Sequence, residues 1–171
     1  GEGGTHIRVH GCRGEFEAPE RSIDCGNSGT TMRLLSGILA GCPFESTLTG
    51  DPSLSRRPMK RIAVPLEKMG ARVRGQGDRC TPPLRVFGRD KLTPIHYESP
   101  VASAQIKSAI MLAALKADGK TSVTEPHLSR DHTERMLNYL LVKNIREGDT
   151  VSIWGGQVPE SRDIVVPGDI S

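Results

Sequence analysis

Features that mark several common protein classes are scarce in this chain of 171 residues. Aromatic residues make up only 4% of it and the formal net charge is +3, so it offers neither the stacking residues nor the basic surface of a nucleic-acid-binding protein. No apolar run approaches the roughly 20 residues that a membrane helix requires. We therefore expect neither nucleic acid nor a membrane as a partner, and small anionic ligands remain as candidates.

Cysteine is also rare, and the cysteines are widely spaced. They show no C-x-x-C spacing and no cluster with histidine, which argues against a zinc site and against a disulfide framework. This cysteine usage is typical of a reducing compartment, so we expect a cytoplasmic location. The N-terminus also lacks the charged and then apolar pattern of a secretory signal. Ile7 and Val9 alternate with polar neighbours as in a strand that belongs to something upstream, and we expect the chain to be a fragment. The four cysteines are Cys12, Cys25, Cys42 and Cys80.

Hydrophobic periodicity predicts short strands that alternate with four helices, which is typical of an α/β protein. The first helix should end at Gly41 in a left-handed cap. The second should begin at Pro58, and Pro65 inside it should kink or shorten it. Residues 163–168 should close the chain as a strand. The predicted helices cover about 30–40, 58–70, 104–116 and 133–141.

An internal repeat relates two parts of the sequence. A shift of 74 places lays residues 52–61 on residues 126–135, with matching Pro, Leu, Ser and Arg positions, and it brings Gly29 onto Ser103. We therefore predict two copies of a unit that runs strand, helix, strand, loop, helix and strands. Chance similarity between two α/β segments is the alternative.

The entrances of the first and third predicted helices consist of small or polar residues. They are GNSGTT at residues 26–31 and SAQ at residues 103–105. A helix N-terminus offers unpaired N–H groups and a partial positive charge, and small residues let an anion approach that backbone. No Gly-Lys-Ser/Thr follows, so a nucleoside triphosphate is not the expected ligand. Taken alone, GNSGTT is weak evidence for a ligand site, because a plain turn and helix cap explains such a stretch more often than not.

Each half also carries arginine beside serine shortly before its second helix. Arg56 and Arg57 occupy this place in the first half, and Ser129 and Arg130 occupy it in the second. The arginine fork binds carboxylate and phosphate with two hydrogen bonds, so the repeated arrangement favours an anion site over solvated surface. The acids, Glu134 among them, form no pair that indicates general acid and base chemistry. No complete catalytic set is visible.

Five segments occur in an order that is specific to one family. They are GNSGTTMRLLSGILAG, GDPSLSRRPMKRIAVPLEKMGARV, SPVASAQIKSAIMLAAL, HLSRDHTERML and VPGDIS. In that order they resemble the EPSP synthase family, the 3-phosphoshikimate 1-carboxyvinyltransferases of the shikimate pathway of aromatic amino acid biosynthesis. The resemblance runs from about Ile23 to Ser171. The segments SLSRRPM and SRDHTERML look more like the branch often called class II, which contains glyphosate-tolerant members.

The resemblance implies an inside-out α/β barrel lobe of the enolpyruvyl transferase fold, built from βαβαββ repeats with helices inside and sheets outside. The chain would be a partial N-terminal substrate-binding lobe with repeats at about 22–95 and about 96–170 and the end of a third. The second lobe, its partner in cis, would be absent. Members transfer the carboxyvinyl group of phosphoenolpyruvate to the 5-hydroxyl of shikimate 3-phosphate through a tetrahedral intermediate, giving EPSP and phosphate without a metal or other cofactor. The chain alone should bind substrate at most.

The resemblance also assigns roles to individual residues. Gln105 would position substrates, because the family's main acid and base residues lie in the other lobe. The family's N-terminal lysine segment is absent, and Leu34 stands where the other branch often has proline. The residues expected at phosphoenolpyruvate or the inhibitor glyphosate are Asn27, Gly29, Thr30, Arg57 and Gln105. The residues expected at shikimate 3-phosphate are Ser103, Ala104, Gln105, Ser129 and Arg130.

Two alternatives stay open at this point. The sister enzyme that transfers enolpyruvate to UDP-N-acetylglucosamine shares the architecture and the Arg-Pro pair, but it resembles GNSGTTMR and SRDHTERML much less. A non-catalytic lobe that binds a phosphate ligand is compatible with every motif.

Overall fold

The computed structural model describes residues 7–12 and 14–166, which form two four-stranded sheets and four α-helices. No helix in these residues is long and apolar enough to span a membrane. In chain order the elements are β1 (Ile23–Asp24), α1 (Gly29–Ala40), β2 (Glu45–Thr49), α2 (Lys60–Lys68), β3 (Arg72–Gln76), β4 (Thr81–Phe87), β5 (His96–Glu98), α3 (Ala104–Ala114), β6 (Lys120–Thr124), α4 (His132–Tyr139), β7 (Asn144–Glu147) and β8 (Thr150–Trp154).

The two sheets have the same topology. Their strand orders are β1-β2-β4-β3 and β5-β6-β8-β7. In each sheet the first pair of strands is parallel and the other two pairs are antiparallel. The α/β class expected from the sequence is confirmed, and the elements follow the order βαβαββ twice. The exact bounds of the two repeats stay a prediction.

The helix caps show how the two halves correspond at the candidate site. Ser28 caps α1 and Ser103 caps α3, each accepting a hydrogen bond from the backbone N–H three residues further on. These caps are 75 positions apart, so the shift of 74 that laid Gly29 on Ser103 is one residue out here. The connection from strand to helix is one residue longer in the second half. Gly29 is therefore equivalent to Ala104.

Helices α1 and α3 pack against each other with their backbones in close contact. A Cβ atom at Gly37 would lie 2.3 Å from the carbonyl oxygen of Ala109, so the approach requires glycine at this position. Eight of the eleven residues of α3 are buried, as expected for a helix inside a lobe rather than on its surface. This packing brings the N-terminal parts of both helices to one region of the molecule.

Three local predictions are wrong. Residues 7–12 form no strand. Gly41 ends α1 with φ of −90°, outside the left-handed region. Its N–H donates to the carbonyl of Ile38 at 3.0 Å, and the N–H of Cys42 donates to that of Leu39, so the last turn is tightened without a left-handed residue. Residues 163–166 have no regular structure, and residues 167 and 168 lie outside the described residues.

The second helix is shorter than predicted at both ends. Helix α2 begins at Lys60 rather than Pro58, because the N–H groups of Met59 and Lys60 both bond to the carbonyl of Arg79. It ends at Lys68 and contains Pro65. The shorter helix leaves Arg57 in an extended segment, with ψ of 134°, between a 3-10 turn (Leu54–Arg56) and α2.

Candidate functional site

Gly29, the first residue of α1, lies where two guanidinium groups approach the backbone. A Cβ atom at Gly29 would be 2.7 Å from Nη1 of Arg33 and 3.2 Å from Nη1 of Arg57. Arg33 is four residues further along α1 and therefore on the same face of the helix. Because Gly29 has no side chain, two cations can lie close to the helix N-terminus, where the helix dipole also favours an anion.

A chain of hydrogen bonds orients Arg57. Its Nη2 donates to Oδ1 of Asn27 at 2.8 Å, and Nδ2 of Asn27 donates to Oδ2 of Asp51 at 2.6 Å. The other carboxylate oxygen of Asp51 accepts from the N–H of Leu54 at 2.7 Å. The pKa of Asp51 is lowered by the bond from Leu54 first and then by that from Asn27, with Arg57 adding a smaller effect. Three loop segments therefore cooperate to hold the Arg57 guanidinium.

A second set of hydrogen bonds joins α1 to α3. Nη1 of Arg33 donates to Oε1 of Gln105 at 2.9 Å, and Nη2 of Arg33 donates to the carbonyl of Pro58 at 3.2 Å. Nε2 of Gln105 donates to Oγ1 of Thr30 at 2.7 Å. Because Thr30 accepts in this bond, its hydroxyl proton is free to be donated to another group.

The charge around Gly29 is predominantly positive. Burial lowers the pKa of Arg33, and the charges of Arg57 and then Arg61 lower it further. Arginine stays protonated in proteins, so the lowered pKa of Arg33 means that these cations are close together and partly desolvated. An anion placed among them would relieve their repulsion and form charge-assisted hydrogen bonds.

In the second half, a buried ionic cluster lies behind the candidate residues. Oε1 of Glu125 accepts from the N–H of Ser103, and Oε2 accepts from Oγ of Ser129, both at 2.8 Å. Nζ of Lys107 lies 3.2 Å from Oε2 of Glu125 and 2.6 Å from Oε1 of Glu134. All three charged residues are at most 5% exposed. Burial raises the pKa of Glu125, but the bonds from Ser129, Ser103 and Lys107 outweigh it and hold the pKa below its ordinary value.

The structure places the predicted residues in two linked groups. Asn27, Gly29, Thr30, Arg57 and Gln105 are connected through hydrogen bonds and the contacts of Gly29. Ser103 and Ser129 meet through Glu125, and Ala104 follows Ser103 as the first residue of α3.

Arg130 is separate from both groups. It is exposed in the loop before α4, and among the described residues it takes part in no hydrogen bond or ion pair. Across the same part of the chain, no group of three or more His, Cys, Asp or Glu side chains could hold a metal ion. The arrangement can therefore hold an anion between guanidinium groups and hydroxyls, and its described residues present no metal-ligand set.

Several residues of these networks were not predicted from the sequence. The sequence gave no sign that Glu134 has an ionic partner, yet in the structure it is buried against Lys107. The spacing of Arg33 from Gly29, one helical turn, would have placed both on one face. Lys107 is conspicuous as a cation inside an apolar run, which signals a buried partner. Nothing local identifies Glu125 as that partner.

Comparison with known proteins identifies the family. The sequence model described as EPSP synthase (3-phosphoshikimate 1-carboxyvinyltransferase) matches residues 2–171. The chain belongs to the EPSP synthase family. It is 54% identical over 170 residues to the 3-phosphoshikimate 1-carboxyvinyltransferase of Bacillus pumilus (strain SAFR-032) and 56% identical over 156 residues to that of Bacillus thuringiensis (strain Al Hakam). The alignments cover 98% and 91% of this chain but only 39% and 36% of those relatives.

A solved EPSP synthase structure, that from Acinetobacter baumannii, has the same fold. It superposes with a TM-score of 0.82 at 51% sequence identity and covers 84% of this chain and 33% of the EPSP synthase chain. The family resemblance and the enolpyruvyl transferase fold expected from the sequence are thus confirmed. The chain spans 36% to 39% of the length of these curated EPSP synthase relatives.

Proposed function

We propose that this chain is part of an enzyme that transfers the carboxyvinyl group of phosphoenolpyruvate to the 5-hydroxyl of shikimate 3-phosphate, giving EPSP and phosphate. The hydroxyl oxygen would bond to the central carbon of phosphoenolpyruvate as the hydroxyl loses its proton and the methylene carbon gains one. Phosphate and a proton of the resulting methyl group would then leave the tetrahedral intermediate, which restores the double bond. The observation that carries the proposal is the junction of the two helix entrances through Gln105, Thr30 and Arg33 in a chain of this family. Two anionic substrates can meet at such a junction.

The entrance of α1 is proposed as the phosphoenolpyruvate subsite. Arg57 would bind its phosphate, because its guanidinium lies over Gly29 and is already oriented by Asn27. Thr30 has a hydroxyl proton to donate, and Arg33 adds positive charge. The inhibitor glyphosate, which carries a phosphonate and a carboxylate, would compete for the same groups.

The entrance of α3 is proposed as the subsite for shikimate 3-phosphate. Ser103, Ala104 and Ser129 would surround the phosphate, and the exposed Arg130 would turn from solvent to bind it. Gln105 would contact both substrates as a positioning residue, since its amide already lies between the two entrances.

The proposal assigns this chain a binding role and not turnover by itself. It covers little more than a third of its relatives, and the other lobe would supply the acid and base carboxylates in cis. A half-site that binds a phosphate ligand without chemistry is thus the expected behaviour of the 171-residue chain. A cytoplasmic location accompanies this proposal, as expected for an enzyme of aromatic amino acid biosynthesis.

Calorimetric titration of the chain with shikimate 3-phosphate tests this function. Binding should require the phosphate, so shikimate is the ligand control. Arg130→Ala should weaken binding at least tenfold, whereas Arg135→Ala, which removes an exposed arginine on α4, should not. A folded chain that does not bind shikimate 3-phosphate, or that binds shikimate equally well, would refute the half-site. Preference for UDP-N-acetylglucosamine in the same titration would favour the sister enzyme.

A further inference from the structure

Both carboxylate oxygens of Glu125 accept hydrogen bonds from the two segments that carry the candidate phosphate ligands. One of its carboxylate oxygens accepts the backbone N–H of Ser103 and the other accepts the hydroxyl of Ser129. Ser103 belongs to the entrance of α3, and Ser129 belongs to the loop before α4. Both bonds are 2.8 Å long, which is within the range of well-formed hydrogen bonds.

Lys107 makes it possible for an ionised carboxylate to lie at this buried position. It is 1% exposed and contacts Glu125 from one helical turn beyond Ser103. A buried carboxylate without a cation and hydrogen-bond donors would lose its charge, but here Lys107, Ser103 and Ser129 supply both. An ionised carboxylate only accepts hydrogen bonds, so the Ser129 hydroxyl is the donor.

We propose that Glu125 is a positioning residue that fixes the entrance of α3 and the Ser129 loop relative to each other. Glu125 hydrogen-bonds to both Ser103 and Ser129, and it therefore links the two segments at the level of the candidate phosphate ligands. Further along, α3 and α4 are also joined by the hydroxyls of Ser108 and Thr133, which lie 2.6 Å apart, and by the ion pair of Lys107 with Glu134. The consequence for shikimate 3-phosphate rests on the proposed function, whereas the coupling of the two segments does not.

The sign of one substitution separates positioning from simple electrostatics. Coulomb attraction alone predicts that Glu125→Gln strengthens phosphate binding, because it removes a negative charge near an anion. Positioning predicts the opposite. Glutamine has one side-chain oxygen where glutamate has two, so it can accept the hydrogen bond from Ser103 or the one from Ser129, and its NH2 group faces the other donor. We expect shikimate 3-phosphate affinity to fall about tenfold or more.

Glu134→Gln is the matched control. It removes the other carboxylate that contacts Lys107, whereas the carboxylate that bonds to Ser103 and Ser129 is that of Glu125 and stays in place. It should lower stability much as Glu125→Gln does while leaving the affinity within about twofold of wild type. Equal losses of affinity in both variants would overturn the proposal, as would a gain in Glu125→Gln.

Amide NMR spectra of the ligand-free chain test the coupling without any substrate. The Ser103 amide proton, bonded to a carboxylate, should resonate downfield and move upfield in Glu125→Gln but not in Glu134→Gln. Ser129→Ala, which removes only one hydroxyl, should also shift the Ser103 amide resonance through Glu125. This variant tests the coupling if Glu125→Gln does not fold. An unmoved Ser103 amide overturns the coupling. If wild type fails to bind shikimate 3-phosphate, the proposed half-site fails and the amide shifts alone decide the role of Glu125.

Discussion

The contact between Gly37 and Ala109 provides the sharpest test of the packing that brings the two helix entrances together. In Gly37→Ala the new methyl would lie 2.3 Å from the Ala109 carbonyl oxygen and 2.9 Å from its carbonyl carbon and Cα. These atoms are backbone, so α1 and α3 must separate. Overpacking of a core costs about 1–3 kcal/mol, and a contact this short belongs at the upper end. Alanine recovers about 1 kcal/mol of helix propensity, which leaves a net loss of about 2 kcal/mol.

Urea denaturation followed by circular dichroism measures this loss. A destabilisation of that size corresponds to a fall in melting temperature of about 4–8 °C for a chain of this length. Gly29→Ala is the matched control in the same helix, because its methyl meets only the ends of two arginine side chains, which can move. If Gly37→Ala is as stable as wild type, or if Gly29→Ala loses equally much, the close approach of the helices is not what requires glycine.

Three further predictions concern the site. Gly29→Ala should weaken glyphosate binding more than shikimate 3-phosphate binding, because its methyl displaces Arg33 and Arg57; unchanged inhibitor affinity or inhibition would refute the placement. Lys107→Met should cost about 3–5 kcal/mol of unfolding free energy in urea, since it leaves buried carboxylates without their cation, and a loss below about 1 kcal/mol would contradict the cluster. The lowered pKa of Asp51 means that its contribution is complete above its ordinary pKa of about 4 and is lost as pH falls through the lowered value. Asp51→Asn should therefore flatten the pH dependence of stability below about pH 4, and an unchanged slope would argue against it.

The elements that could be predicted are those specified by local chemistry. The entrance of α1 was found within one residue because Ser28, Gly29 and an apolar helical face follow one another directly. The α/β class followed from alternating short strands and helices. Strand β1 was missed because it has only two residues, Ile23 and Asp24, which are too few to show the alternation of apolar and polar residues that marks a strand. Strand β7 was missed because its residues are mostly exposed and polar.

The residues that could not be predicted depend on contacts between distant segments. Asp51 orients Asn27 across 24 residues, and Glu125 binds Ser103 across 22. Each acid is one of many in the sequence, and its role depends on which loops the sheet brings together. Resemblance to the family supplied the candidate ligand-binding residues, but it supplied neither of these supporting carboxylates.

The two supporting carboxylates reveal a common device in the two halves. Asp51 follows β2 and Glu125 follows β6, and each bonds to the loop before the first helix of its half and to the loop before the second. A side chain at Gly50, the residue directly after β2, would meet Leu54 at 2.4 Å, so in the first half the acid comes one residue later.

The shared carboxylate bridge explains how equivalent scaffolds can serve different ligands. The bridge needs only one acid and two donors, and it leaves the outward groups of both loops free to differ. In the first half Arg57 supplies such a group from its loop and Arg33 adds a second guanidinium from α1, an arrangement that would suit a small, highly charged ligand. In the second half those groups are the hydroxyl of Ser103 and the exposed Arg130, which would suit a phosphate on a larger polar molecule. Divergence of the repeats at the ligand thus requires no change in the bridge that supports it.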